Sequence, residues 1–433
     1  MLGADAPAFF EALSREPRRA LRLFPGRGDR AAELEALSPF LGEAIPFAGD
    51  CFFLEEPGIG RHPLHHGGAV YVQDPAAMAP AAAVTVLPDD RVLDLCAAPG
   101  GKALAAGARL SPAGILVCNE PSPLRRRILL QNLERCGVGA SVYGLDAARP
   151  LPPAWEEAFD LVICDAPCSG EGMFRKDEDA VRLWSPELVA LSAERQRAIL
   201  REAAKAVAPG GRLLYDTCTW SVEENEAQIA GLLAARPDFS PAPLPAAVVA
   251  ASSPGAALDG IDPARCRRFY PHVFPGEGQF LAVLRREGER PPREGAAFAP
   301  PPAKGDGALM AAFLEENLLT PPPGEWTERD GAWYLSPPPA FSRGAASPGV
   351  VLGEVKKGRV VPHHRLFLWR EAAFRRTIDL SAEEAARYLA GEELPCDLPD
   401  GWAAARYLGC PLGGVKVSQG RAKNHYPKGL RRN

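Results

Sequence analysis

The sequence predicts an α/β fold, a doubly wound and mostly parallel β-sheet flanked by helices. Between about residues 71 and 286, short apolar runs alternate with segments of helical periodicity, which is the pattern of parallel strands joined by crossover helices. The first run enters a Gly-Gly turn, and later runs end on an acid or beside a cysteine. Sheets of this type bind ligands at the carboxyl ends of their strands, so we expect the functional site there.

Each predicted element follows from a local pattern. Apolar runs bounded by turn residues predict strands, and apolar residues at helical spacing predict two long helices. The second helix has Ser185 as its N-cap and Pro186 at its first position, and the Gly-Gly pair 210–211 is its predicted end. The predicted strands cover residues 91–96, 115–120, 141–143, 159–165, 212–218 and 280–284, and the helices cover residues 124–136 and 185–207.

Composition divides the chain into four parts. Residues 1–70 mix a short helical pattern with glycine-rich turns and predict a small N-terminal module. Residues 71–286 carry the α/β pattern, and residues 287–308, with their runs of Pro, predict a linker. Residues 309–433 consist of short segments punctuated by Trp and Tyr, and they predict a compact C-terminal α+β region of one or two lobes.

Composition also excludes several classes of protein. The 433 residues carry a net charge of −5 and include no apolar run long enough to span a bilayer, which takes about 20 residues. The N-terminus lacks the pattern of a secretion signal, so we expect a cytoplasmic protein. The ten cysteines are scattered and form no CxxC pair, so neither a disulfide framework nor a metal site is predicted. We expect a monomer that binds no membrane and no metal.

The turn after the first strand predicts a cofactor site. In the segment Asp-Leu-Cys-Ala-Ala-Pro-Gly-Gly-Lys at 94–102, Gly100 and Gly101 let the backbone approach a ligand closely. Glu120 ends the second strand, where a carboxylate can accept hydrogen bonds from ribose hydroxyls, and Asp146 follows the third, where it can face an adenine amino group. This segment matches neither a GxGxxG fingerprint nor a phosphate-binding P-loop. The predicted nucleoside ligand is therefore S-adenosylmethionine.

Two cysteines at strand ends predict the chemical site. Cys168 lies in the segment Asp-Ala-Pro-Cys-Ser-Gly, and Cys218 lies in the segment Asp-Thr-Cys-Thr. A single cysteine is more often a small buried apolar residue, and we interpret Cys118 and Cys164 in that way because they lie within apolar runs. Polar and turn residues flank Cys168 and Cys218, which favours their exposure to a pocket.

Two thiols, a carboxylate and a methyl donor suit the methylation of cytosine carbon 5. That carbon becomes nucleophilic only after a thiolate has added to carbon 6, and such covalent catalysis divides one difficult step into easier ones. A base then removes the carbon-5 proton and the thiol is eliminated. Asp165 is placed to hydrogen-bond the cytosine ring during the addition, and the cytosine must leave its stack to enter the pocket.

These segments resemble the motifs of the Nop/Sun family of RNA 5-methylcytosine methyltransferases. The resemblance covers about residues 70–286 and includes the segments 268–272 (Arg-Phe-Tyr-Pro-His) and 276–280 (Gly-Glu-Gly-Gln-Phe). It implies a Rossmann-like domain dependent on S-adenosylmethionine. The sequence departs from the family pattern at Ala103, where a hydroxyl residue is usual, and at Gln279, where an aromatic residue is frequent.

The resemblance implies a role for each site residue. Cys218 would attack carbon 6 and Cys168 would help to release the product, although the Pro-Cys cysteine is the nucleophile in DNA 5-methylcytosine enzymes. Asp165 would contact the cytosine, and Lys102 would orient substrate or cofactor. The residues implied in S-adenosylmethionine binding are Asp94, Cys96, Ala97, Ala98, Pro99, Gly100, Gly101, Lys102, Glu120, Asp146 and Asp165.

The C-terminal region predicts contact with RNA. Its last segments, 409–416 and 420–430, resemble the tail of RsmF-like small-subunit ribosomal RNA methyltransferases. Two segments are strongly basic, because 343–376 holds eight basic and two acidic residues and 412–433 holds six basic residues and no acid. Such segments favour phosphate contacts, and His425 and Tyr426 could stack on bases. The basic residues are Arg343, Lys356, Lys357, Arg359, Arg365, Arg370, Arg375, Arg376, Lys416, Arg421, Lys423, Lys428, Arg431 and Arg432.

The sequence leaves three functions open. The favoured one is methylation of carbon 5 of a cytidine in 16S ribosomal RNA. The alternatives are a transfer RNA cytosine-5 methyltransferase and a noncatalytic assembly factor that binds ribosomal RNA. The intact thiols and carboxylate of the predicted chemical site argue against a noncatalytic protein, and the long basic C-terminal region argues against a small-metabolite methyltransferase.

Overall fold

The computed structural model describes residues 2–290, 292 and 298–431 of the chain. Part of the predicted linker, at 291 and 293–297, and the end of the second basic segment, including Arg432, lie outside the described residues. Four β-sheets organise the described part of the chain. Within it, no helix is long and apolar enough to cross a membrane.

The first sheet is formed by N-terminal strands. Helix α2 is started by Asp29, whose side chain accepts hydrogen bonds from the backbone N–H groups of Ala31 and Ala32, as expected of an N-cap. The elements are α1 (Ala6–Leu13), β1 (Ala20–Leu23), α2 (Arg30–Leu37), β2 (Leu41–Ala44), β3 (Cys51–Leu54), α3 (Pro63–His66), β4 (Val70–Gln73) and the connecting α4 (Ala79–Ala82). The strands pair antiparallel in the order β2-β3-β1-β4.

The central sheet has nine strands and carries the predicted motifs. Its elements are β5 (Arg91–Asp94), α5 (Gly101–Gly107), β6 (Ile115–Asn119), α6 (Pro123–Arg135), β7 (Ser141–Tyr143), β8 (Phe159–Asp165), α7 (Glu178–Leu183), α8 (Pro186–Ala206), β9 (Val207–Thr217), α9 (Glu226–Ala235), β10 (Phe239–Pro241), α10 (Ala246–Ala250), β11 (Ser253–Pro254), β12 (Cys266–Phe269) and β13 (Gln279–Arg286). The order is β11-β12-β13-β9-β8-β5-β6-β7, with β10 beside β13. The predicted α/β class is confirmed.

The strand directions bring five strand ends to one edge. Strands β7, β6, β5, β8 and β9 run parallel to one another, whereas β13 pairs antiparallel with β9. In the register, Asp94 lies opposite Cys118 and Ile163, and Asp165 lies opposite Asp216. The loops that follow these strands therefore meet at the carboxyl edge, as the sequence predicts.

Two details of the predicted helices are wrong. The Gly-Gly pair 210–211 does not end helix α8. The helix ends at Ala206, and Val207 begins a long strand that contains the pair. Helical periodicity predicts Ile128, Leu129 and Leu133 on one face of α6; Leu129 and Leu133 are buried, but Ile128 is 42% exposed. The core-facing stripe of α6 holds only Leu129 and Leu133, because Ile128 precedes Leu129 directly and so lies about 100° around the helix.

The C-terminal region forms two further sheets. The elements are α11 (Gly305–Asn317), β14 (Glu325–Arg329), β15 (Ala332–Ser336), β16 (Val350–Lys356), β17 (Arg359–Pro362), α12 (His364–Leu368), β18 (Thr377–Leu380), α13 (Ala382–Ala390), β19 (Leu394–Pro395), β20 (Gly401–Tyr407), β21 (Cys410–Ser418) and β22 (Arg421–Asn424). The first sheet is β14-β15-β16-β17, and the second is β18-β20-β21-β22-β19. Backbone hydrogen bonds between Val142 and Ser347 attach this region to edge strand β7.

The N-terminal and last C-terminal sheets share one hydrophobic core. Leu21, Leu64 and Val70 of the N-terminal part pack with Leu389 and Val415 of the C-terminal part. The buried Arg27 reinforces the junction by donating hydrogen bonds to the carbonyl oxygens of Gly67 and Leu368. The two ends of the chain are therefore joined by apolar burial, which is the main source of folding free energy.

Candidate active site

The loop between β5 and α5 lies against the ends of the two neighbouring strands. Gly100 has a φ of 120°, a backbone conformation that favours glycine. Asn119, fully buried at the end of β6, donates hydrogen bonds to the carbonyl oxygens of Leu95 at 3.0 Å and Leu145 at 3.1 Å. It also accepts one from the backbone N–H of Leu145 at 2.8 Å. This one side chain fixes three loops of the site, and the sequence analysis did not identify it.

The predicted cofactor carboxylates lie along the same edge. Asp94 is 1% exposed, and burial raises its pKa to about 7, with the nearby Asp165 carboxylate adding to the rise. Neither carboxylate oxygen of Asp94 has a well-formed hydrogen bond to another described residue. Glu120 is also buried, and Arg125 approaches its free oxygen only to 3.4 Å. Asp146 is 43% exposed beyond the end of β7.

These features fit a cationic nucleoside ligand. A buried carboxylate without hydrogen bonds is unfavourable until a polar or cationic partner arrives, and Asp94 stands in that condition. The intervening loop, 96–100, presents backbone rather than long side chains, and it includes a cis peptide bond between Ala98 and Pro99. Cys96 lies among three carboxylates, and burial together with their charge raises its pKa well above the usual range. Its neutral thiol therefore packs in the loop.

Lys102 lies between two carboxylates. Its Nζ is 2.6 Å from Asp165 Oδ2 and 2.8 Å from Asp216 Oδ2. Burial alone would lower the pKa of Lys102, but the two carboxylates raise it above its usual range. Lys102 is therefore a fixed ammonium ion, with Asp165 partly exposed on the cleft side and Asp216 fully buried behind it.

The two predicted catalytic cysteines are in contact. Cys168 Sγ and Cys218 Sγ are 3.3 Å apart, and both residues are partly buried. The hydrogen bond from Cys168 lowers the pKa of the Cys218 thiol, although burial opposes this effect. The same contact raises the pKa of Cys168 well above its usual range. The contact therefore allows one thiol to stabilise the thiolate of the other by a hydrogen bond.

A buried glutamate holds the two cysteine loops together. Glu224 accepts a hydrogen bond from the backbone N–H of Ser169 at 2.9 Å, and another from the Ser169 hydroxyl. The Ser169 hydroxyl also lies 3.0 Å from that of Thr219, and Gln196 donates to the second Glu224 oxygen at 2.8 Å. Ser169 follows Cys168 and Thr219 follows Cys218, so this network fixes the distance between the thiols.

The sequence does not reveal this network. Glu224 lies in the polar run Glu-Glu-Asn-Glu at 223–226, where an acid is expected to be exposed rather than buried. The sequence also does not show that Gln196 is the partner of Glu224, since Gln196 lies in the middle of the helix that precedes β9. Burial raises the pKa of Glu224, and the hydrogen bonds from Ser169 and Gln196 oppose the rise.

Two glycines allow the surrounding segments to meet. A Cβ on Gly172 would lie 2.7 Å from the carbonyl oxygen of Cys218, and a Cβ on Gly278 would lie 2.7 Å from the Cα of Gly172. The backbone N–H of Gly172 donates to that same Cys218 carbonyl at 2.9 Å. Any larger residue at either position would separate the loop after β8 from the nucleophile loop.

A cleft of about 340 Å³ opens beside these groups. The residues that line it include Gln73, Lys102, Asp165, Met173 and Cys218. Within the described residues, no cluster of His, Cys, Asp or Glu side chains could hold a metal ion. The arrangement offers a thiolate, a second thiol, a carboxylate and an ammonium ion to a ligand in the cleft.

The basic residues of the C-terminal region divide into two groups. Arg365 is 2% exposed and donates hydrogen bonds to the carbonyl oxygens of Gly349 and Val138, so it is a structural residue and that part of the predicted RNA surface is wrong. Arg370 is also partly buried, and its guanidinium bonds the carbonyl oxygen of Pro25. The exposed members are Arg343, Lys356, Lys357, Arg359, Arg375, Lys416, Arg421, Lys423 and Lys428.

The predicted stacking pair is also corrected. Tyr426 is 3% exposed and lies within hydrogen-bond distance of His66, with Tyr388 and His364 packed against its ring. It therefore belongs to the core. His425 is exposed, and its ring lies 4.5 Å from that of Trp402.

Comparison with known proteins gives three consecutive family matches. Residues 1–75 match the N-terminal domain of 16S rRNA methyltransferase RsmF, residues 81–285 match 16S rRNA methyltransferase RsmB/F, and residues 375–432 match the PUA domain of methyltransferase RsmF.

Individual proteins match nearly the whole chain. Ribosomal RNA small subunit methyltransferase F of Klebsiella pneumoniae (strain 342) is 32% identical over 449 aligned positions, which cover 98% of this chain and 92% of that protein. The protein of the same name from Aeromonas salmonicida (strain A449) is 32% identical and covers 90% and 85%. A solved methyltransferase homologue from Pyrococcus horikoshii has a TM-score of 0.55 at 24% identity, covering 66% of this chain and 91% of its own, and shows the same fold.

Proposed function

The chain belongs to the RsmB/F family of 16S rRNA methyltransferases, and we propose that it methylates carbon 5 of a cytidine in 16S ribosomal RNA. The observation that supports the cytosine-5 chemistry best is the pair of thiols 3.3 Å apart beside a carboxylate and an ammonium ion. Methyl transfer to oxygen or to an amino nitrogen needs no covalent adduct, so it would leave both thiols without a role.

Cys218 is the proposed nucleophile. The hydrogen bond from Cys168 and the nearby Lys102 ammonium lower the pKa of its thiol, which favours the nucleophilic thiolate, and Cys218 lines the cleft. The thiolate adds to carbon 6 of the cytosine, and the electrons of the carbon 5–carbon 6 double bond move toward the ring nitrogen N3. Carbon 5 then becomes the nucleophile that accepts the methyl group.

Asp165 is the proposed partner of the cytosine ring. It lies at the end of β8 and is partly exposed to the cleft. Its carboxylate contacts the Lys102 ammonium at 2.6 Å. From this position its carboxyl group can hydrogen-bond N3 and the exocyclic amine, and so stabilise the charge that develops during addition. Lys102 fixes the orientation of Asp165.

Cys168 is proposed to act in product release. A neutral thiol 3.3 Å from the attacking sulfur can return a hydrogen bond to it as the carbon–sulfur bond breaks. Its raised pKa keeps it protonated while Cys218 is ionised. Cys218 lines the cleft together with Lys102 and Asp165, and Cys168 is not among the described residues that line it, which supports Cys218 over Cys168 as the nucleophile.

The residues proposed to hold S-adenosylmethionine are the strand-end carboxylates and the loop 96–102. Glu120 would accept the ribose hydroxyls, Asp146 would face the adenine, and the unpaired Asp94 would lie near the cationic end. When bound, this cofactor supplies the methyl group. The chain's own residues position it.

The RNA is proposed to lie across the exposed cations of the C-terminal region. Lys416 and Lys423 are cross-strand neighbours on β21 and β22, and Trp402 on β20 lies opposite Lys416. The Lys416 ammonium lies 5.7 Å from the centre of the Trp402 ring. An aromatic ring among cations on one sheet face suits a nucleotide chain, which offers both phosphates and base faces.

The test is a comparison of RNA from cells with and without the protein. Bisulfite sequencing should reveal a cytidine in 16S ribosomal RNA that resists conversion only when the protein is present. Purified protein should restore the mark with S-adenosylmethionine and either naked 16S RNA or small subunits. A mark that disappears from transfer RNA instead would overturn the substrate, and an unchanged pattern in all RNA would overturn the cytosine-5 chemistry.

A further inference from the structure

Asp216 is a buried acid that the proposed reaction leaves without a role. It is 0% exposed at the end of β9, two residues before the nucleophile Cys218. Its Oδ2 receives the Lys102 ammonium at 2.8 Å and the Nε2 donor of Gln279 at 3.0 Å. Its Oδ1 has no hydrogen-bond partner among the described residues. A fully buried acid at this position therefore needs an explanation.

The charges around Asp216 do not balance if every group is ionised. Asp165 and Asp216 both contact the single ammonium of Lys102, which leaves one excess negative charge in a buried place. An uncompensated buried charge is costly, and two carboxylates that share a site tend to retain one proton between them. Burial is the main cause of the raised pKa of Asp216, and Asp165 adds to it while Lys102 opposes it.

The other titratable groups around Asp216 do not supply the balance. Cys164 and Tyr215 come from the paired strands β8 and β9, and burial keeps both neutral by raising their pKa well above the usual range. Cys218, on the following loop, is a thiol and supplies no positive charge. Asp94 is a further acid near Asp165. Lys102 is therefore the only fixed cation that these described residues present to the acids.

We propose that Asp216 and Asp165 share one proton beside Lys102, and that Asp216 is a positioning residue that keeps Asp165 supplied with that proton for the cytosine ring. This inference rests on the proposed cytosine-5 reaction. The supporting geometry is the single Lys102 ammonium between two acids. Asp165 faces the cleft, and the buried Asp216 accepts a hydrogen bond from Gln279.

The proton returns to its origin in each cycle. During addition, the Cys218 sulfur bonds to carbon 6, the double-bond electrons move to N3, and Asp165 gives its proton to N3. Both carboxylates are then ionised against the single Lys102 ammonium until the proton comes back. During elimination the sulfur–carbon bond breaks, the double bond re-forms and N3 returns the proton to Asp165. The proton on carbon 5 leaves separately to a water molecule of the solvent.

The test is the pH dependence of a single turnover on 16S RNA. Asp216→Asn keeps the shape and an oxygen acceptor for Lys102 but cannot share a proton. We expect the rate to fall about 10- to 100-fold, with dissociation constants for RNA and S-adenosylmethionine changed less than about twofold. One carboxylate beside an ammonium loses its proton more readily than two. The alkaline decline in rate should therefore begin about one pH unit lower than in the natural protein.

A second variant predicts the opposite shift. Gln279→Met removes the N–H donor that stabilises ionised Asp216, so the shared proton should be held to higher pH and the alkaline decline should move upward. Asp238→Asn is the control, because Asp238 is an acid paired with Arg236 and Arg286 at β10, away from the carboxyl edge. Its profile should match that of the natural protein.

The outcomes separate this inference from the main proposal. If the natural protein forms no 5-methylcytidine, the proposed function fails. If it does, but Asp216→Asn keeps its rate and its pH profile, Asp216 shares no proton and only this inference is overturned. If Asp216→Asn fails to fold, as judged by thermal unfolding, the direction of the Gln279→Met shift decides, and an unchanged or downward shift overturns the inference.

Discussion

The carboxyl edge of the central sheet and the outer face of the last sheet both gather polar side chains, but they hold them differently. At the edge, Lys102 and Glu224 are buried, and each is fixed by several short hydrogen bonds or ion pairs. On the outer face, Lys416 and Lys423 are exposed cross-strand neighbours that share no acid with each other. One region is preorganised, and the other remains hydrated until RNA arrives.

The difference indicates which free energy each region controls. Preorganised groups in a dry site stabilise a transition state, because they pay no reorganisation at the moment of reaction. Exposed cations bind phosphates by releasing counterions, which gives affinity that depends on salt but little chemical selectivity. Substitutions at the edge should therefore change the rate, and substitutions on the outer face should change affinity.

The largest expected effect is the loss of the nucleophile. Cys218→Ala removes the sulfur that forms the adduct, so methyl transfer to 16S RNA should fall by more than about 1,000-fold. RNA affinity should stay within about twofold, because the proposed RNA contacts are the exposed cations of the C-terminal region. Tritium release from 5-labelled cytidine measures the rate, and filter binding measures the affinity.

The matched control is Cys396→Ala, which removes a buried thiol of the C-terminal region. It should retain the natural rate. Substantial turnover by Cys218→Ala would contradict the assignment of the nucleophile, and a comparable loss in Cys396→Ala would show that the assay reports folding.

The next effect is a change of the rate-limiting step. Cys168→Ala leaves the Cys218 sulfur free to attack but removes the thiol 3.3 Å away that assists elimination. Multiple turnover should fall by about 100-fold, and a protein–RNA adduct resistant to denaturation should accumulate on a gel.

The double variant that lacks both thiols should form no adduct, since nothing can attack carbon 6. An adduct formed by Cys218→Ala and not by Cys168→Ala would reverse the two roles. Such a result would exchange the roles of Cys168 and Cys218. It would not change the expectation that the carboxyl edge controls the rate and the outer face controls RNA affinity.

The sequence predicted the strand ends well because local patterns specify them. The runs that end at Asp94, Asn119 and Asp165 are apolar and bounded by turns, so their existence and direction follow from periodicity and fold rules. The same rules place Cys168 and Cys218 at one edge. Their contact at 3.3 Å required the Glu224 network, which joins residues distant in the sequence.

Burial of charged residues was the main failure of the sequence analysis. Arg365 and Tyr426 look like surface residues in a basic segment, but both are buried in the structure. Arg365 is satisfied by carbonyl oxygens of Gly349 and Val138, and such partners carry no side-chain signal in the sequence. Asp216 was missed for a similar reason, because its partner Lys102 lies on a different loop.

A smaller effect is expected on the outer face. Lys416→Ala combined with Lys423→Ala should weaken RNA binding about 5- to 30-fold at moderate salt, because two phosphate contacts are lost. The slope of log affinity against log salt should decrease by about two, one for each contact. The single-turnover rate at saturating RNA should be unchanged.

The matched control removes two positive charges at the opposite edge of the central sheet. Arg201 and Lys205 flank Glu202 near the end of α8, and that helix ends where β9 begins, at the amino edge. Arg201→Ala with Lys205→Ala should leave the salt slope unchanged. Equal weakening by both pairs would mean that net charge, and not this face, holds the RNA.

Deleting the C-terminal region would not separate a loss of RNA affinity from a loss of folding stability. Leu21 and Val70 of the N-terminal sheet share their core with Leu389 and Val415, so truncation would expose apolar surface on the remaining part. Point variants on the outer face avoid this problem. A substitution at the junction between the N-terminal sheet and the last C-terminal sheet should change neither the methylation rate nor the RNA affinity.

The smallest expected effect lies at Glu33 in α2, beside that junction. Glu33 is 2% exposed, burial raises its pKa to about 7, and Arg30 opposes the rise from 4.0 Å. The folded protein therefore holds this proton more tightly than the unfolded chain, so stability falls as pH rises between about 4.5 and 7. Glu33→Gln should be more stable than the natural protein by about 1–3 kcal/mol at pH 8 and nearly equal to it at pH 4.5.

Urea unfolding at the two pH values measures this difference, and Glu35→Gln, an exposed residue on the same helix, is the control. Glu35→Gln should be neutral at both pH values because Glu35 is exposed and its substitution removes no buried charge. Methylation by Glu33→Gln should be unchanged at 25 °C, since the substitution touches neither the carboxyl edge nor the outer face. A gain that is equal at both pH values would show that packing, and not the buried charge, limits the stability of the junction.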